Sequence, residues 1–138
     1  MILLSTSGTR LMAEAAEHGE AFAASLRNVS AQARALSGRG RVRLFGADSR
    51  GEFRPEDQLC CARIAVALLE RGLEPGDRAT ERVLERWGDA ADDSFLTSPS
   101  VQYLQETGQK HDVDFVLERI DDLDVVYPIV GGEVRRLP

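Results

Sequence analysis

The row Met12, Ala15, Gly19, Phe22, Leu26, Val29, Ala33 and Leu36 is spaced alternately three and four residues apart. That spacing is the a/d seam of a helix made to pack against another helix. It predicts one long helix from near Thr9 to just before Gly38, with Ser37 and Gly38 as its stop. The flanking e and g positions include Ala16, Ala23, Ser25, Ser30 and Gln32, which are uncharged and mostly small, so a second helix can approach closely. The expectation is a homo-oligomer, or a complex with another protein, joined through Met12, Ala15, Phe22, Leu26, Val29 and Leu36, with packing of the helix on the chain's own core as the equal alternative.

Charge limits what else the chain can bind. Seventeen Lys and Arg stand against 23 Asp and Glu, a formal charge of −6, which disfavours duplex nucleic acid and anionic membranes as partners of the whole surface. The exception is residues 34–54, where six arginines face only Asp48 and Glu52 for a net of +4. Arg39, Arg41 and Arg43 alternate, so an extended chain would present all three on one face, with Arg34, Arg50 and Arg54 near in sequence. Guanidinium forks bind phosphate and carboxylate bidentately, which makes Arg39, Arg41, Arg43, Arg50 and Arg54 the candidate anion- or partner-binding set. The opposing reading pairs them with the chain's own carboxylates. Sixteen of the seventeen basic residues are Arg, a bias expected of a GC-rich, bacterial genome.

With 138 residues the chain fits a single domain spanning 1–138, large enough to bury a core. Its only cysteines, Cys60 and Cys61, are adjacent, so they can neither close a loop nor supply a zinc site by spacing; a reducing, cytoplasmic setting is expected. No apolar run is long enough for a membrane span.

Beyond the first helix, Arg41–Phe45 reads as a short strand, followed by a turn at 46–51 and a return through Phe53. Pro55, Glu56 and Asp57 open a helix that Gly72 ends, and only Arg63 is charged between Cys60 and Leu69. Asp77 caps the next helix, and Ser98 with Pro99 opens another. Val113–Ile120, Val125–Val130 and Val134–Leu137 read as strands, the last two joined by the hairpin signal Gly131-Gly132. The fold class expected is α+β: a long N-terminal helix, a short β element, a helical middle and a C-terminal antiparallel β-meander.

Chemistry is sparse. Ser5-Thr6-Ser7-Gly8-Thr9, after Ile2-Leu3-Leu4, resembles over five residues the phosphate loop of sugar isomerase domains. Gly72–Arg78 is similar to a turn of adenylate-forming enzymes, but the chain is far too short for one and here the turn leads into a helix. Glu14 and His18 stand four apart, as an ion pair would. His111-Asp112-Val113-Asp114 offers ligand-type side chains, yet strand alternation would separate His111 from both Asp. The Asp92-Asp93 and Asp121-Asp122-Asp124 clusters lack the spacing of a calcium loop and read as solvated turns. Cys60 and Cys61 lie in an apolar helix that raises a thiol pKa. No catalytic residue, metal site or cofactor emerges. The reading preferred on sequence is a non-enzymatic cytoplasmic protein-interaction module of adaptor, secretion-chaperone or immunity type. Its alternative is a sensor or enzyme that binds a small anionic metabolite at Arg39–Arg54.

Overall fold

The computed structural model describes residues 8–49 and 52–137. Its architecture is α+β, with six α-helices and two small antiparallel sheets among the described residues. The long N-terminal helix is absent. Helix α1 covers only Gly8–Glu17, and α2 resumes at Val29 and runs to Leu36. Between them lie a two-residue strand, β1 (Phe22–Ala23), and a 3-10 turn at Leu26–Asn28.

The interruption has identifiable causes. Gly19 adopts φ +152°, a conformation open to a residue without Cβ. Ser25 and Asn28 then form a reciprocal cap, in which the Ser25 N–H donates to Asn28 Oδ1 at 2.9 Å and the Ser25 hydroxyl accepts from the Arg27 N–H at 3.3 Å. The continuous seam is therefore corrected. Leu26 and Val29 are buried in the core, Phe22 sits on a strand, and Met12 and Ala15 belong to a separate helix. The far end matches its expectation, because α2 stops at Leu36 with Gly38 at φ +80°.

Helix α3 (Pro55–Leu69) lies at the centre. Leu59 faces a cluster with Leu26, Phe95, Val101 and Val113, while Ile64 and Leu68 face a second cluster with Val29 and Ala33. Its one interior charge, Arg63, reaches out to fix the loop beyond α4 (Arg78–Trp87), donating to the Ala90 carbonyl at 2.6 Å and to Asp92 at 2.8 Å. Caps set the neighbouring helices: Asp77 accepts from the Thr80 N–H at the start of α4, and Ser98 from the Val101 N–H at the start of α5 (Pro99–Glu106).

The tail departs from the expected meander. Residues Lys110–Leu117 form helix α6 rather than a strand. Val113, Val116, Leu117 and Ile120 follow helical spacing and all pack on the Leu59 cluster, so burial of that stripe outweighs the β-branched composition. The Gly131-Gly132 turn does close a hairpin between β4 (Tyr127–Val130) and β5 (Glu133–Val134), with both glycines at positive φ. The third strand of that sheet is β1, which places Phe22 opposite Pro128 and Ala23 opposite Tyr127. The Arg41–Phe45 strand is not formed. A hairpin follows instead, between β2 (Asp48–Ser49) and β3 (Glu52–Phe53).

The aspartate cluster is structural. Asp121, at φ +57°, accepts from the Ser30 N–H and hydroxyl at the start of α2. Asp122 takes a bidentate bond from Arg27 at 2.7 and 2.8 Å, and Asp124 pairs with Arg34. Asn28 and Gln32 are each 1% exposed and bonded, Asn28 to the Val125 carbonyl and Gln32 to the Ala23 carbonyl. Replacing the buried Asn28 with Ala takes the donor away from the Val125 carbonyl and removes half of the reciprocal cap of the 3-10 turn. Urea denaturation should show a loss of about 1–3 kcal/mol, and an unchanged midpoint would contradict this account of the junction.

Candidate functional site

An open cavity of about 650 Å³ lies between the N-terminal elements and α3. One wall is the apolar side of α1, with Leu11, Met12 and Ala15; another is the segment from Arg39 to Ala47; the base includes Asp57, Cys60, Cys61 and Ile64 of α3. Phe22, Leu36 and Ile129 add to the apolar lining, so five residues of the expected helical seam, Met12, Ala15, Gly19, Phe22 and Leu36, border a cavity instead.

The Arg39–Ala47 segment belongs to neither a helix nor a sheet. Val42 and Leu44 are half-buried against the Val29–Ile64 cluster, and Arg41, Arg43 and Phe45 are exposed. Alternation thus survives without a ladder. Arg39 is tied at the mouth to Glu20, with its closest nitrogen-oxygen approach at 2.6 Å. Among the described residues, Arg41 and Arg43 make no ion pair or hydrogen bond, so the two guanidinium groups are available to an anion. Arg54 stands at the N-cap of α3, and Arg50 lies outside the described residues.

Asp57 is the group that the sequence did not single out. It sits in the first turn of α3 and its carboxyl is pushed up to about 6, chiefly by burial and secondarily by Glu56, with the Arg54 charge acting the other way. At neutral pH such a group exchanges a proton readily, as a general acid or base must. Its signal was present as the acidic start Glu56-Asp57, but that pattern serves a helix N-terminus equally well. What distinguishes Asp57 is the approach of Gly46 to its side, a tertiary contact.

Cys60 and Cys61 are half-buried on the cavity wall, and burial pushes their thiols up to about 12 and about 11. They are neutral, non-nucleophilic lining at physiological pH. His18 is exposed at the rim. Glu14 pairs with Arg10 at 2.7 Å, which replaces the expected Glu14–His18 pair. His111 and Asp112 lie on α6, adjacent to one another at 3.3 Å. Among the described residues no three His, Cys, Asp or Glu side chains are grouped to hold a metal ion, and no helix is long and apolar enough to cross a membrane. Of the hydroxyl-rich loop, Ser5, Thr6 and Ser7 lie outside the described residues, whereas Gly8 opens α1.

Comparison with known proteins gives this cavity its context. Residues 1–131 match the family model of 2-phosphosulpholactate phosphatase. The chain belongs to that family. A curated relative from Thermotoga petrophila, described as a probable 2-phosphosulfolactate phosphatase, is 30% identical over 115 residues. The match covers 83% of this chain and 50% of the relative, so the chain spans about half the length of the curated relative it matches. No solved structure matches. Membership of a phosphatase family overturns the non-enzymatic interaction module expected from the sequence. That expectation rested on the seam, which the fold divides, and on an absence of catalytic motifs that a cavity assembled by tertiary contacts does not require.

The Asp57 environment has a measurable consequence for stability. A carboxyl at about 6 in the fold against 3.8 ordinarily contributes stability below pH 3.8, and loses it as pH rises through 6. Asp57→Asn should therefore match the parent near pH 4 and exceed it at pH 7.5 by about 1–2 kcal/mol, the full shift being reduced by solvent screening. Urea unfolding at both pH values checks this; equal stability at pH 7.5 would contradict the raised carboxyl.

Proposed function

We propose that this chain binds a phosphorylated, multiply anionic small molecule in the Arg41–Asp57 cavity and takes part in hydrolysis of its phosphate ester. The observation that carries the proposal is that Arg41 and Arg43, whose guanidinium groups have no internal partner among the described residues, line the same cavity as Asp57, whose carboxyl is raised to about 6. The family supports this reading: a phosphosulpholactate carries phosphate, sulphonate and carboxylate groups, all of which arginine forks can bind.

In the proposed reaction, water attacks phosphorus and the bond from phosphorus to the ester oxygen breaks, releasing inorganic phosphate and the alcohol. Arg41 and Arg43 hold anionic oxygens of the substrate and offset charge in the transition state. Asp57, when protonated, gives its proton to the leaving alkoxide, which would otherwise depart as a strong base. Water restores that proton. The apolar lining from Met12, Phe22, Leu36 and Ile64 strengthens these charge interactions by displacing solvent.

Release of phosphate from 2-phosphosulfolactate by the full chain is the direct test. Arg41→Gln and Arg43→Gln should each lower kcat/KM about ten- to a hundredfold, matching about 1.5–3 kcal/mol per charged hydrogen bond, with folding unchanged by circular dichroism. The parent rate should fall as pH rises through about 6, where Asp57 loses its proton, and Asp57→Asn should lower kcat about a hundredfold or more and abolish that limb. Phosphate release no faster than a protein-free control would overturn the proposal.

A further inference from the structure

The segment that carries Arg41 and Arg43 has no ladder to hold it. Among the described residues, the backbone groups of Arg41 to Gly46 make no hydrogen bond to any other backbone group or side chain. Two kinds of contact remain. Val42 and Leu44 pack on the Val29–Ile64 cluster, which sets the height of the segment above the core. Gly46 lies directly against α3, where a Cβ would stand 3.3 Å from Asp57 Cβ and 3.9 Å from Cys61 Sγ. An approach of that kind admits hydrogen and resists a methyl group. The opposing atom, Asp57 Cβ, is fixed to the helix backbone and cannot swing away as the end of a long side chain would.

We infer that Gly46 is a positioning residue for the phosphate-ester site, setting the separation between the arginine segment and Asp57 through its close contact with the first turn of α3. The inference rests on the proposed role of that cavity, but the contact itself is testable without it. Gly46 is not at positive φ, so alanine meets no backbone penalty there. What alanine adds is one methyl group in a contact tighter than van der Waals spacing, and the segment moves outward by a few tenths of an ångström. That displacement carries Arg43 with it and, together with the added methyl group, alters the surroundings of the Asp57 carboxyl, whose elevation comes chiefly from burial.

Three readouts on the parent and Gly46→Ala test this. Thermal melting should leave the variant folded. Carboxyl carbon NMR should show the Asp57 midpoint displaced from its parental value of about 6 in the variant, because the burial that sets it has changed. With 2-phosphosulfolactate, KM should rise about three- to tenfold, in proportion to a sub-ångström misplacement of binding groups, and the displaced Asp57 midpoint should appear in the pH profile of kcat. A folded variant with the parental Asp57 midpoint and KM would overturn the inference. A shifted midpoint in a chain that releases no phosphate would uphold the Gly46–Asp57 contact and sink the phosphatase reading instead. Should the variant fail to fold, the parent decides: a nuclear Overhauser contact between the Gly46 α-protons and the Asp57 β-protons upholds the approach, and its absence overturns it.

Discussion

Asn28 and Gln32 stand one helical turn apart, with both amides removed from water and each satisfied by a carbonyl from a different part of the chain. A buried amide left without a partner costs about 1–3 kcal/mol, so these two groups dictate where their acceptors lie. Gln32 holds the Ala23 carbonyl and with it the strand that pairs β4, while Asn28 holds Val125 on the approach to that same β4. The N-terminal third and the C-terminal hairpin are thereby fixed to a single turn of α2. The Asp121 cap and the Arg27–Asp122 fork reinforce that junction from the surface, where water weakens each bond.

This junction explains why the most regular pattern in the sequence did not become one helix. Alternate spacing of three and four shows which residues seek burial, not whether the backbone between them is continuous. Leu26 and Val29 are buried as the pattern requires, but a break from Gly19 to Ser25 turns Phe22 onto a strand and opens a cavity beside Met12 and Ala15. Local chemistry was the more dependable guide. The starts at Pro55, Asp77 and Pro99 and the glycine turn at 131–132 were all legible, since each depends on residues within a few positions of one another. The stretch from Val113 to Ile120 satisfied both periods, and only the tertiary partner Leu59 selects the helical one.

The candidate site divides the same way. Arginine density marked Arg39, Arg41, Arg43, Arg50 and Arg54 as a candidate anion- or partner-binding set, and within it the structure ties Arg39 to Glu20 and leaves Arg41 and Arg43 without internal partners among the described residues. Asp57 was hidden because its distinguishing property comes from the chain that folds over it. A carboxylate in the first turn of a helix is ordinary; one approached by a residue eleven positions back is not.

The adjacent thiols on the cavity wall bear on how such a pocket survives an oxidising challenge. Peroxides attack the thiolate, and a thiol held at about 11 is ionised in about one molecule in ten thousand at pH 7. Cys61 therefore presents sulfur to the cavity almost wholly in its unreactive form, and Cys60 does so still more completely. The raised thiols make this lining slow to accumulate sulfenic acid, so the shape and polarity of the pocket persist through oxidant exposure that would convert an ionised cysteine.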